Sequence, residues 1–224
     1  MNRNTVLLGI IVLALVALGV FAYVTFNENG PDQPVAAVDT NTAPMIPAGY
    51  DNTLGNPNAP IKLIEYAAPM CPICAAFDMR EFPKLKAEYI DTGKVFYTFR
   101  VFPIGNPDYP AEGIARCLPR AQYFPFIDML YRNQDKWDPD GHEIADVPGA
   151  LVKMAAVAGM PADKAQTCMT NKVTQDRTNQ IAADAQTRYN VSGTPTFIVD
   201  GKPAFTGEWP WEQLKPALDA RLKK

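Results

Sequence analysis

Ala67-Ala68-Pro69-Met70-Cys71-Pro72-Ile73-Cys74 joins two stretches of unlike pattern. Before it, Ile61-Lys62-Leu63-Ile64-Glu65-Tyr66 is short and rich in branched and aromatic side chains, which predicts a buried strand. After Cys71, apolar residues return at helical spacing, at Ala75, Phe77, Met79, Phe82, Leu85 and Tyr89. Pro72 suits a first helical position, where a missing N–H costs nothing. Cys71 therefore falls at a helix N-terminus, where unpaired amides and the positive end of the helix dipole favour a thiolate. Cys74 lies one helical turn on, within reach of Cys71. Cys-x-x-Cys in that setting reads as a redox pair.

Half of a zinc site is the competing reading. A structural zinc takes four ligands. The sequence has no second Cys-x-x-Cys, its one histidine is His142, and Cys117 and Cys168 stand alone. No metal site and no cofactor follow from this pattern.

The 224 residues, 47% of them hydrophobic, are enough for one good core, and the formal net charge of −3 offers nothing to nucleic acid. Val6 to Phe26 carries no charge and is long enough to span a bilayer. Arg3 before it, and Glu28 and Asp32 after it, orient such a span with residues 1–5 as a cytoplasmic stub and the rest outside. A cleaved signal peptide is the alternative, with Ala17-Leu18-Gly19 or Val35-Ala36-Ala37 as small-residue sites. Both place the cysteines in a compartment that permits disulfides. Residues 27–55, with scattered prolines and no apolar period, read as a flexible linker.

The remainder, 56–222, reads as one folded domain. Val95 to Phe102 alternates apolar residues on nearly both faces and belongs inside a sheet. From about 110 to 189 the chain turns Ala-rich and helical, with segments near 111–118, 121–134, 147–158, 161–169 and 173–189. Thr196 to Val199 is a strand, Asp200-Gly201 a hairpin turn, and Trp209-Pro210-Trp211 opens a last helix with Leu214, Ala217, Leu218 and Leu222 on its apolar side. Cys117 and Cys168 lie in the helical block, where two leftover cysteines of an exported chain most often staple the structure; a second redox pair is the sharper option. His142 reads as a solvated loop residue. Glu65 shares strand parity with Ile61 and Leu63, so its carboxyl points to an apolar side. Either it reaches water at an edge, or it lies beneath the pair, with a raised pKa, and exchanges protons with Cys74.

With Cys71-Pro72-Ile73-Cys74 at a strand-to-helix junction and a large helical insertion, the chain resembles the thioredoxin superfamily, and within it the DsbA-like thiol–disulfide oxidoreductases of bacterial cell envelopes. Glu65 matches the family's buried acid, Thr194-Pro195 its cis-proline loop, and Asn56-Pro57-Asn58-Ala59-Pro60 the entry segment of single-domain members. The resemblance implies an α/β thioredoxin fold, a central mixed sheet flanked by helices, interrupted by the insertion at about 110–189. It implies Cys71 as the exposed nucleophile, Cys74 as the resolving thiol and a cis Pro195. Thr194 would offer backbone groups to a substrate strand, with Pro72 and Ile73 beside it. It implies no cofactor, exported cysteine-containing proteins as substrates, and a membrane redox partner. That partner would be a quinone-linked oxidase, or an electron donor if the pair works as a reductase or isomerase. The location implied is the periplasmic side of the envelope, anchored by residues 6–26 or soluble after cleavage. The strong oxidants of the family carry histidine where this chain has Ile73, which implies a weaker oxidant here. A non-enzymatic metal-binding or chaperone module on the same scaffold is the third reading.

Overall fold

The computed structural model describes residues 49–223. The span at 6–26 and most of the linker lie outside them. No helix among the described residues is long and apolar enough to cross a membrane.

Five strands form one mixed sheet in the order β1-β3-β2-β4-β5: β1 Asn52–Leu54, β2 Ile61–Ala67, β3 Val95–Val101, β4 Thr196–Val199 and β5 Lys202–Thr206. β2 sits at the centre, parallel to β3 and antiparallel to β4, with Glu65 opposite Phe99 on one side and Phe197 on the other. Glu65 is therefore not an edge residue. Strand parity divides the sheet as the pattern requires. Ile61, Leu63 and Ala67 face the larger core with Val95, Tyr97, Phe197 and Val199, whereas Tyr66 and Ile198 face a smaller cluster with Ile181 and Ala185.

The helix after the cysteine pair is α1, Pro72–Arg80. Pro83 ends that run by restarting it as α2, Phe82–Leu85, which continues through a wider π-type turn at Lys86–Ile90. Gly93, at φ +74°, closes the segment. The insertion comprises α3 Asp108–Cys117, α4 Tyr123–Arg132, α5 Gln134–Trp137, α6 Val147–Val157, α7 Ala162–Met169 and α8 Lys172–Tyr189. Cys117 on α3 and Cys168 on α7 are joined by a disulfide. Asp200 and Gly201 both take positive φ in the β4–β5 turn, and α9, Trp211–Leu222, closes the chain.

Two details depart from the sequence reading. Asn52–Leu54, placed in the linker at 27–55, pairs antiparallel with Phe99–Tyr97 as the edge strand. Three residues with one apolar side chain are too short to give a period, and the neighbouring strand supplies the order. Leu222 is exposed at the end of α9, whereas Leu214 and Leu218 are buried in the core and Trp211 and Ala217 pack against it.

Candidate active site

β2 delivers the cysteine segment at its C-terminal end, and Cys71 is the N-cap of α1 in extended conformation. Its Sγ accepts the Cys74 backbone N–H at 3.1 Å, taking the role an Asp or Ser side chain plays at other helix starts. As a thiol it also reaches the Thr194 carbonyl at 3.5 Å. Thr194-Pro195 is a cis peptide bond, so the loop before β4 lies directly against the sulfur. The Cys71 pKa is lowered to about 6, first by the Cys74 side chain hydrogen-bonded to it, against burial, and further by Thr194 and the amides of Cys74 and Ile73.

Both thiols are free, and Cys71 is less exposed than the resemblance implied, at 3% against 0% for Cys74. The Thr194 carbonyl and the Cys74 amide both lie against the Cys71 sulfur. Burial pushes the Cys74 thiol well up, and the charges of Cys71 and Glu65 add to that. The two sulfurs are thus set apart, one held toward the thiolate and one toward the thiol. Ile73 stands out into solvent at 47% exposure.

Glu65 is 3% exposed, and desolvation raises its pKa to about 8. The Tyr97 hydroxyl donates to its Oε2 at 2.6 Å and opposes that rise. Tyr97 was not foreseen as a site residue; in sequence it is one more aromatic on an apolar strand face, and only the β2–β3 register brings it to the carboxyl. Tyr97 also lines a cavity of about 900 Å³, with Leu54, Phe82, Phe99, Phe124 and Asp78, that neither cysteine lines. Asp78 there is raised to about 7 by burial, with Asp128 beside it adding to the rise.

Asp108 is a second unforeseen residue. Its Oδ1 accepts the Met70 N–H at 2.9 Å, and its Oδ2 accepts those of Ile104 at 2.8 Å and Gly105 at 3.1 Å. Burial raises it to about 6 while those three amides hold it down. The sequence Asn106-Pro107-Asp108 reads as an ordinary turn, and nothing local distinguishes it. Cys117, Cys168 and His142 take no part in this cluster. His142 is exposed, with Nδ1 3.2 Å from the Asp138 carbonyl. Among the described residues no three His, Cys, Asp or Glu side chains gather as a metal-binding group.

Comparison with known proteins points the same way. A family model described as thioredoxin matches residues 48–220. A Rickettsia bellii relative named as a protein-disulfide oxidoreductase is 32% identical over 78% of this chain and 65% of its own length. A Bacillus cereus relative named disulfide bond formation protein D is 27% identical over 100% of this chain and 99% of its own. The crystal structure of α-DsbA1 from Wolbachia pipientis aligns with a TM-score of 0.71 at 28% identity, covering 80% of this chain and 94% of that one. The chain spans 61% of the length of the Rickettsia felis relative it matches.

Proposed function

This chain belongs to the thioredoxin family, and on that premise we propose that it is a thiol–disulfide oxidoreductase of the DsbA type, donating a Cys71–Cys74 disulfide to exported proteins. The observation that carries this is the capped Cys71 sulfur, with its lowered pKa, set over a buried Cys74 and Glu65. A substrate thiolate attacks Cys71 Sγ of the oxidised pair. The Cys71–Cys74 bond breaks, a mixed disulfide forms at Cys71, and Cys74 leaves with the electron pair. Its high proton affinity makes it take a proton, and Glu65, protonated at neutral pH, is the group placed to give it. A second substrate thiolate then attacks the substrate sulfur and releases Cys71 as a thiolate. Two electrons end on the pair and one disulfide on the substrate. The Thr194 carbonyl, beside the sulfur, is available to pair with the extended substrate. A membrane redox partner returns the pair to the disulfide, and residues 6–26 hold the domain at the envelope membrane.

Thiolate stabilisation favours the reduced pair and therefore raises the potential. Thioredoxin, with a nucleophilic cysteine near pKa 7 and a potential of about −270 mV, is a useful reference. A thiolate pKa near 6 adds about 30 mV per unit, which gives a value near −240 mV. Ile73 offers no cation to go further. Structural disulfides in secreted proteins lie below about −300 mV, so the further the pair stands above about −270 mV, the more strongly it favours donation to them. Equilibration of the described domain in glutathione buffers, with the Cys117–Cys168 bridge followed separately by mass, should give between about −250 and −180 mV. A value at or below about −270 mV would overturn donation in favour of a reductase or isomerase kept reduced by a membrane donor.

The pH dependence of alkylation tests the site directly. At pH 7 a pKa of about 6 makes Cys71 about nine-tenths thiolate, against about 3% for an ordinary cysteine. Iodoacetamide should modify Cys71 at half its maximal rate near pH 6 and leave Cys74 untouched. A midpoint near about 8.5 would mean that the helix cap does not activate the sulfur.

A further inference from the structure

We infer that Tyr50, Asn52 and Arg116 form a binding site for a small oxyanion, a phosphate or a carboxylate, where β1 meets the helical insertion. Four buried side-chain nitrogen or oxygen atoms of the described residues lack a hydrogen-bond partner: Tyr50 Oη, Asn52 Nδ2, Arg116 Nη2 and Tyr131 Oη. The first three belong to residues that line one cavity of about 330 Å³, together with Arg120, Tyr123 and Thr174. Buried donors without partners are rare in a folded chain, because each gives up its water with nothing in return. Three around one cavity point to a ligand. The site is separate from the redox pair, since neither Cys71 nor Cys74 lines it.

The lining decides the sign of the ligand. Glu112 is fully buried, but one of its oxygens accepts Arg116 Nε and the other accepts the Tyr123 hydroxyl at 2.7 Å. The Asp51 carboxylate takes the Arg100 guanidinium with both oxygens. The backbone carbonyls of Tyr50 and Asp51 accept from Arg116 at 2.8 Å and from Arg120 at 3.1 Å. With these acceptors occupied, donors are what remain. The amide of Asn52, which also lies beside Tyr123, has two N–H groups to give. Burial raises the Tyr50 pKa, so its hydroxyl keeps its proton at neutral pH. The Arg116 guanidinium stands 3.8 Å from the centre of the Tyr50 ring and that of Arg177 5.5 Å from it. Arg116, Arg120 and Arg177 thus gather about Tyr50 and the cavity against the charge of Glu112, Asp51 being matched by Arg100. Thr174 adds the first turn of α8, the positive end of that helix. An oxyanion brings several acceptors and the matching charge, and charge-assisted hydrogen bonds are the strong ones. Bound there, it ties Tyr50 and β1 to α3 and α8.

The test titrates the full chain, in non-ionic detergent with the cysteine pair oxidised, with sodium phosphate or sodium succinate at neutral pH and fixed ionic strength. Calorimetry should show saturable binding of at least one of the two at a single site, and hydrogen exchange of the amides at 50–54 should slow on binding. Tyr50→Phe keeps the ring against Arg116 and removes only the hydroxyl. It should weaken binding by about tenfold or more, since a hydrogen bond to a charged group is lost. Without the anion the same variant should be as stable as the wild type or more so, because an unpartnered buried group is gone. Asn52→Ala should weaken binding to a similar degree and leave the backbone pairing of β1 with β3 in place. Sodium chloride at the same ionic strength should do nothing. Saturable binding of neither anion, binding unchanged in both variants, or an equal response to chloride would overturn the site. So would a marked loss of stability in anion-free Tyr50→Phe, since the hydroxyl would then already have its partner within the protein.

Discussion

Cys74→Ser is expected to stop exchange half-way and leave the substrate covalently attached to Cys71. Without Cys74 there is no disulfide to donate, so the adduct forms in the reverse direction: the Cys71 thiolate attacks a substrate disulfide and one substrate sulfur leaves as a thiolate. That step needs only Cys71, and the backbone N–H that caps it belongs to residue 74 whatever its side chain. A serine hydroxyl can also donate to the Cys71 thiolate in place of the thiol that lowers its pKa most. The variant should therefore keep an activated nucleophile, and its alkylation midpoint should remain well below that of a free cysteine. What it lacks is the second sulfur one turn along the helix. An intramolecular nucleophile in good geometry competes at effective concentrations of about 10⁵ M or more, far above any thiol in solution. Release of a mixed disulfide should slow by at least about 10³-fold, and the adduct should survive non-reducing electrophoresis. Cys71→Ser should yield no adduct, because Cys74 is fully buried and held as a thiol. Adducts of equal yield on the two variants would remove the division of labour between the cysteines.

The local geometry of the cysteine pair, Cys71 capping the helix and Cys74 one turn on, was legible in the sequence for a physical reason. A strand, a proline at the first helical position and two cysteines three apart fix the local geometry, and local geometry is what a sequence states most directly. Glu65 was legible in part. Parity put its carboxyl on the apolar face, but whether β2 was a central or an edge strand depended on Thr196–Val199, some 130 residues further on. Tyr97 and Asp108 were not legible. Tyr97 becomes a partner of Glu65 through inter-strand register, and Asp108 becomes a three-amide acceptor only because the β3–α3 loop folds back on Met70. Neither residue differs in type or spacing from its many structural counterparts. The short strand at Asn52–Leu54 escaped for the opposite reason, since its order comes from β3 and hardly at all from its own side chains. Cys117 and Cys168 were read as a staple from compartment and parity of number; their meeting is decided by how α3 and α7 pack.

Glu65→Gln should produce two large effects of opposite sign. The carboxyl is fully buried and its pKa rises from 4.5 to about 8, with desolvation as the main cause. In the unfolded chain it loses its proton near the ordinary value, while the folded protein keeps it until about pH 8. Its contribution to stability is thus fully present below about pH 4.5 and is lost as pH rises through 8, by about 1.4 kcal/mol per unit in between. At pH 9 the ionised, buried carboxylate costs on the order of 5 kcal/mol. Glutamine keeps an acceptor for the Tyr97 hydroxyl and never ionises. Urea unfolding, with Cys71 and Cys74 both replaced by serine so that redox state does not enter, should find Glu65→Gln more stable than its parent by several kcal/mol at pH 9, with the difference shrinking toward pH 5. The chemistry should move the other way. At pH 7 Glu65 is mostly protonated and placed to give Cys74 the proton it demands on leaving; without it that proton comes from water, and disulfide donation should slow by about 10²-fold. Wild-type donation should itself decline above about pH 8, as the acid form disappears. Tyr97→Phe removes the hydrogen bond that holds the Glu65 pKa down, so it should carry that decline to higher pH while leaving the carboxyl in place. A Glu65→Gln variant that is stabilised at pH 9 yet donates at the wild-type rate would mean that the carboxyl is a buried charge and nothing more. The proton for Cys74 would then have to enter by another route.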